Sequence, residues 1–182
     1  TPIYQLDNTN IFVKLEKYNL GGSVKDRAVL GMLEEAKRQG KVNSDTIIVE
    51  PTSGNTGIAV AILASVLGLK AVIIMPESMS IERRTLIKAY GAQLILTPKE
   101  LGIKGSIDKA TEIREKYDNA ISLSQFDNPA NPVYHYATTA KEILEQVPDL
   151  DIFVAGVGTG GTFSGVAKYL KENKPEVLAI AL

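Results

Sequence analysis

Residues 46–75 read TIIVEPTSGNTGIAVAILASVLGLKAVIIM. The run at 46–50 is apolar and rich in β-branched residues, the pattern of a strand buried on both faces. A turn-rich loop follows at 52–57. Next comes a helix of small residues, IAVAILASVLG, apolar nearly all round and therefore enclosed on several sides. AVIIM, 71–75, is a second buried strand. Strand, covering helix and strand make a βαβ unit, which implies a parallel sheet with helices on both faces.

The alternation continues in both directions. Downstream, Ser80 caps a helix running to about Tyr90 that Gly91 stops, and QLILT (93–97) is a strand. Residues 104–117 and 132–147 read as helices, DIFVAG (151–156) as a strand, TFSGVAKYLKEN as a helix and VLAIAL as a last strand. Upstream, IFVKLE (11–16) is a short strand. Residues 25–39 form a helix with Ala28, Val29, Met32, Leu33 and Ala36 on one face and Gly40 as its stop. FDNPANP, 126–132, is the most turn-rich stretch and the best domain boundary.

Bulk chemistry narrows the function. The 182 residues carry a net charge of −1, and their 20 basic residues are scattered, which argues against nucleic-acid or membrane-surface partners. With no cysteine and one histidine, the chain has no disulfide framework, thiolate zinc site, cysteine nucleophile or His-rich metal site. No apolar run approaches the roughly 20 residues of a membrane span. No signal peptide is visible, and the plain expectation is a soluble cytoplasmic protein.

Three strand-to-helix loops have unusual composition, at the position where α/β sheets bind ligands. In GGSVKDR, 21–27, Ser23 and Asp26 fit a capping box with Ser23 as N-cap and Asp26 at N3. Lys25 then stands at N2, where the positive helix end lowers its pKa and makes it a better base and amine nucleophile. Alternatively, Lys25 extends to water and pairs with Asp26.

In TSGNTG, 52–57, backbone N–H groups at a helix start, the hydroxyls of Thr52, Ser53 and Thr56, and the amide of Asn55 beside Gly54 make an anion site. An ordinary turn and helix cap is the alternative. In AGVGTGGTFSG, 155–165, Gly158, Gly160 and Gly161 let the backbone approach a phosphate, and Thr159 and Thr162 add hydroxyl donors. Here tight helix–strand packing is the alternative. No Gly-Lys-Ser/Thr follows, so the loop is not a Walker A motif. Gly156-x-Gly158-x-x-Gly161 does match the dinucleotide fingerprint, which makes an NAD-binding domain the rival reading. Glu176 counts against that rival, because it precedes the last strand instead of closing it.

His135, on an amphipathic helix between Tyr134 and Tyr136, reads as structural. Glu82, Arg83 and Arg84 read as a solvated helix face. Gln125 serves either a site or a surface loop. No Ser-His-Asp order and no general-acid carboxylate pair stands out.

Six stretches, GGSVKDR, EPTSGNTGIA, MPESMSIERR, AYGAQLILTP, QFDNPANP and AGVGTGGTFSGV, stand in the order and approximate spacing of the cysteine synthases, and the chain resembles that family over essentially its whole length. These O-acetylserine sulfhydrylases are fold-type-II enzymes, tryptophan synthase β-like, that use pyridoxal 5′-phosphate. The resemblance implies an α/β fold of two three-layer αβα domains with mostly parallel sheets. Residues 1–16 and 131–182 would belong to the larger domain, and 17–130 would form the smaller, mobile one. Lys25 would hold the cofactor as a Schiff base and later take the substrate α-proton. Asn55 would hydrogen-bond the cofactor's 3′-oxygen, and Gly158, Thr159, Gly160, Gly161 and Thr162 would cradle its phosphate. Thr52, Ser53, Gly54, Asn55, Thr56 and Gln125 would hold the substrate α-carboxylate.

The implied reaction is β-replacement on O-acetyl-L-serine with sulfide, giving L-cysteine and acetate. Lanthionine- or hydrogen-sulfide-forming enzymes and cystathionine β-synthases resemble the same motifs, as would a catalytically silent partner protein of this fold. A homodimer is the implied assembly. The family continues past Leu182, where it supplies a serine near the pyridine nitrogen, and the front looks clipped at Thr1-Pro2. YNLGG stands where NPGG is common, and TTAKEI where TTGPEI is common.

Overall fold

A computed structural model describes residues 1–182. Its central sheet has the order β5-β4-β3-β6, built from β3 (Ile47–Pro51), β4 (Lys70–Pro76), β5 (Gln93–Thr97) and the two-residue β6 (Ala120–Ile121). Every pair in it is parallel. Ile48, Ile73, Ile74 and Met75 are fully buried, as strands covered on both faces must be.

The helix of 25–39 is α1 (Lys25–Arg38), and the small-residue helix is α2 (Asn55–Leu67). With the sheet they enclose the largest apolar cluster, which contains Ala28, Val29, Met32, Leu33 and the α2 residues Ile58 to Ile62. Burying each large aliphatic side chain here stabilises the fold by about 1.5–3 kcal/mol. α2 is apolar all round because α1 packs on one side of it, the sheet on another and α3 (Ile81–Ala89) on a third. Gly68, at φ 67°, ends it in the left-handed conformation, and Leu69 N–H closes on the Ala64 carbonyl at 2.8 Å. On the opposite face α4 (Gly102–Lys116) buries Ala110 against Val49, Val72 and Ile74.

A separate cluster lies in the last third of the chain. There α6 (Ala140–Gln146) and α7 (Gly161–Asn173) pack on the parallel pair β7 (Ile152–Ala155) and β8 (Leu178–Ala181). Ala140, Phe153, Val166 and Leu170 are its centre.

The structure corrects the sequence reading at four points. The 11–16 strand is only β2 (Phe12–Lys14), and it pairs antiparallel with a strand the periodicity did not reveal, β1 (Ile3–Gln5). Three residues per strand, none of them buried, leave too short a pattern to register. β6 was missed for the same reason of length. The 132–147 helix is really three pieces: α5 (Ala130–Tyr134), a π turn over His135–Thr139, and α6. Finally, Arg84 is not simply solvated, because its Nε is buried without a partner. The cap at Ser80 is as expected, with its Oγ accepting from Arg83 N–H at 3.5 Å, and Gly91, at φ 85°, follows the helix end.

Candidate active site

Lys25 is the first residue of α1, half-buried at the start of the helix. The capping box does not form. Val24 occupies the N-cap with helical φ and ψ, and Ser23 Oγ accepts from Lys25 N–H at 3.2 Å. Asp26 turns back to take the Gly21 N–H instead, because Gly22, at φ 76°, folds the preceding loop over the helix start. The Lys25 ammonium is held below its usual pKa, in the expected direction, by burial, with no carboxylate beside it. It therefore does not pair with Asp26.

Two residues on, Arg27 is buried. Its guanidinium forks onto Glu142 of α6, with Nη1 and Nη2 at 2.8 and 2.7 Å from the two carboxylate oxygens, and its Nε donates to Glu16 at 2.8 Å. A bidentate charge-assisted pair of this kind is geometrically specific. It fixes the helix start that carries Lys25 against the second apolar cluster. Burial opposes the charge on Arg27, yet these bonds raise its pKa. Hydrogen bonding to Arg27 holds the Glu142 carboxyl well below the usual range.

The other two loops meet through one segment. Thr56, buried in the first turn of α2, donates its hydroxyl to Gln125 Oε1 at 2.8 Å. The backbone carbonyl of Gln125 accepts from Asn131 Nδ2 at 3.0 Å, and the same amide nitrogen donates to Thr159 Oγ1 at 3.0 Å. Thr159 Oγ1 in turn accepts from Gly161 N–H at 3.3 Å. In the 52–57 loop, Thr52 Oγ1 takes the Gly54 N–H at 3.1 Å, while Ser53 and Asn55 stand exposed at the rim.

The glycine loop is open where a ligand would approach. A Cβ at Gly156 or Gly158 would meet nothing within 4 Å, and Gly160, at φ 81°, is the left-handed residue leading into α7. Behind the loop there is no such room. A Cβ at Gly161 would run into the Asn131 side chain, and one at Gly165 into the Pro132 carbonyl. Glycine is required there by close approach.

His135 is structural, as read, but it also reaches this loop. Its Nδ1 pairs with Thr139 Oγ1 at 2.8 Å and its Nε2 with Thr162 Oγ1 at 3.3 Å. Burial pushes it down to about 4, with the charges of Arg27 and Lys25 adding to that, so the imidazole is neutral near pH 7. Through Thr162, His135 ties the π turn to the glycine loop.

Arg27 and Asn131 were not singled out from the sequence. Arg27 was hidden in an otherwise ordinary helix start, and Asn131 inside a run of turn residues. The one available signal for Asn131 was an amide amid the prolines of 126–132.

The cofactor that the sequence implies carries an aldehyde and a phosphate. It needs an amine that loses its proton readily and an uncharged cradle of N–H and O–H donors. An unpaired Lys25 with lowered pKa, and a glycine loop whose Cβ positions at Gly156, Gly158 and Gly160 face open space, fit both requirements. Asn131 Oδ1, buried without a partner beside that loop, is a further unsatisfied acceptor there.

Comparison with known proteins agrees. The chain is 51% identical over 188 residues to a cysteine synthase of Flavobacterium sp., and the match takes in all of this chain and 61% of that protein. Among solved structures it superposes with a TM-score of 0.92 on a hydrogen sulfide-producing enzyme from Fusobacterium nucleatum, at 45% identity, covering 97% of this chain and 60% of the other. It superposes with a TM-score of 0.91 on an O-acetylserine dependent cystathionine β-synthase from Helicobacter pylori, at 42% identity, covering 100% and 62%. The chain thus spans about three fifths of the length of these relatives. The fold is that of the fold-type-II enzymes. Residues 1–182 match, along their whole length, the family described as pyridoxal-phosphate dependent enzyme, which displaces the dinucleotide reading of the glycine loop: this chain belongs to that family.

Proposed function

We propose that the chain carries the active site of a cysteine synthase, which replaces the acetate of O-acetyl-L-serine with sulfide to give L-cysteine. The observation that carries the reading is an unpaired, half-buried amine at Lys25 together with a hydroxyl-lined helix start at 52–56 and a glycine cradle at 158–162, the last two joined through Gln125 and Asn131.

When bound at Lys25, pyridoxal phosphate supplies an electron sink for carbanion character at the substrate Cα. The chain's own residues do the rest. Gly158, Thr159, Gly160, Gly161 and Thr162 hold the phosphate at the N-terminus of α7, where N–H groups and the helix dipole favour an anion. Asn55 holds the 3′-oxygen. Thr52, Ser53, Gly54, Asn55 and Thr56 hold the substrate carboxylate with Gln125, whose Oε1 is taken by Thr56 so that its Nε2 hydrogens face the substrate. Lys25 would accept the substrate α-proton at Nζ, and burial, which lowers its pKa, favours the neutral amine that this role needs.

The substrate has a second reading. Relatives at similar identity produce hydrogen sulfide or make cystathionine, so cysteine or serine as amino-acid substrate, with a thiol as nucleophile, is the alternative. We also infer a cytoplasmic homodimer, supported by the resemblance, and a division into a smaller unit, 17–130, and a larger one containing 1–16 and 131–182. Two of the apolar clusters lie wholly within 28–130 and the third wholly beyond it, which supports that division.

The near-visible absorbance of the holoenzyme tests the function, recorded before and after adding O-acetyl-L-serine or L-cysteine, with Lys25→Ala alongside. Lysine-bound cofactor absorbance in the wild type, its absence in the variant and a shift on adding O-acetyl-L-serine are expected. A shift with L-cysteine alone selects the second reading. No cofactor absorbance in the wild type overturns both.

A further inference from the structure

Glu50 is the most deeply buried carboxylate of the chain, only 2% exposed, and no step above uses it. It lies on β3 two residues before Thr52. The backbone ladder between β3 and β6 pairs Ile47 with Ala120 and Ile48 with Ile121, and there it ends. Beyond it, a single carboxylate oxygen, Glu50 Oε2, accepts from Ser122 Oγ and from Leu123 N–H, both at 3.0 Å. The side chain thus continues the pairing after the backbone has stopped.

What it holds is the approach to Gln125. Leu123 is clasped from the other side, its carbonyl accepting from Asn128 Nδ2 at 2.8 Å. Ser124 then adopts φ 53°, a left-handed conformation that a non-glycine residue takes only under constraint, and the chain turns so that Gln125 meets Thr56. Every link from Glu50 to the Thr56–Gln125 pair is made by residues inside this segment.

We propose that Glu50 is the positioning residue of the substrate-carboxylate site: by pinning Ser122 and Leu123 to the end of β3, it sets where Gln125 stands relative to the 52–56 loop. This rests on the reading of Thr52, Ser53, Thr56 and Gln125 as the carboxylate site. A carboxylate kept only for packing would tolerate an apolar side chain of similar volume. A carboxylate kept for position requires an oxygen acceptor at this point, and a glutamine oxygen supplies one. Lys25 lies outside this set of contacts, and the glycine loop meets it only through the Gln125 backbone carbonyl and Asn131, so the larger effect falls on substrate binding.

The test uses the holoenzyme and O-acetyl-L-serine. Glu50→Leu is expected to keep the absorbance of lysine-bound cofactor and to raise KM about tenfold or more, with kcat within about threefold of wild type. Glu50→Gln is expected to restore KM to within about threefold. Ser122→Ala removes one of the two donors without leaving the acid unpaired, and is expected to raise KM about threefold; it decides the matter if Glu50→Leu does not fold. An unchanged KM in folded Glu50→Leu, or in Ser122→Ala where the first variant does not fold, overturns the proposal. So does a fall of kcat and cofactor absorbance together with the KM change. A wild type without lysine-bound cofactor absorbance overturns the functional reading beneath it and is distinguished by that control.

Discussion

The loops at 52–57 and 156–162 share one topology, strand end to helix start, and are anchored in opposite ways. The first is held from behind. Its helix, α2, is sunk over residues 56–62 in the largest apolar cluster, and in the loop Ser53 and Asn55 reach the surface. The second is held from beneath by polar side chains, Asn131 on Thr159 and His135 on Thr162, with Gly161 packed onto Asn131. A helix N-terminus can be placed by dispersion and area burial or by a few directional bonds. The two anchors should fail differently when substituted.

The sharpest break is expected at the tight glycines. Gly161→Ala drives a methyl group into the Asn131 amide, whose Nδ2 is tied to the Gln125 carbonyl and to Thr159 Oγ1, and should cost about 3 kcal/mol in urea unfolding. Gly57→Ala meets methyl groups, Thr52 Cγ2 at 2.8 Å and Ile73 Cγ2 at 2.9 Å, a milder overlap than at Gly161 that still forces a shift; about 1–2 kcal/mol is expected. Equal losses would erase the distinction between the two anchors.

Gly158→Ala separates the loop's stability from its ligand. Nothing in the chain lies within 4 Å of that Cβ, so unfolding should stay within about 0.5 kcal/mol of wild type while the cofactor dissociates about tenfold more readily, measured by equilibrium dialysis. A stability loss like that of Gly161→Ala would show that the open face of the cradle is structural. Thr56→Val keeps the apolar anchor of α2 and removes the hydroxyl on Gln125. KM for O-acetyl-L-serine should rise about tenfold, and stability should fall by about 1 kcal/mol.

A pH slope tests the polar anchor separately. His135 has a folded pKa of about 4 against an ordinary 6.5, so between these values the unfolded chain holds more proton than the folded one. His135's contribution to stability is therefore complete above pH 6.5 and declines as pH falls toward 4. His135→Asn should flatten that part of the profile, measured as urea midpoint against pH. An unchanged slope would mean that carboxylates, not His135, govern this window.

Most of the ladder of elements was legible because its signals are local. QLILT became β5 with the same bounds, Gly40 and Gly91 followed helix ends, and the 52–57 and 155–165 loops lay between strand and helix as read. The failures have two causes. β1 and β6 are too short to carry a period, and the π turn at His135–Thr139 follows a packing demand. There α7 approaches so closely that Gly165 lies against the Pro132 carbonyl.

By itself, the sequence determined the order of strands and helices, the parallel sheet, the three candidate loops and the lysine among them. All of these follow from periodicity, glycine and proline placement, and side-chain chemistry within a few neighbouring residues. Only the tertiary structure decided that Asp26 turns away from a capping box, that Arg27 joins Glu16 to Glu142, and that Asn131 links Gln125 to Thr159. The last two are contacts between residues up to 115 positions apart, and no local pattern encodes which distant partner satisfies a buried polar group.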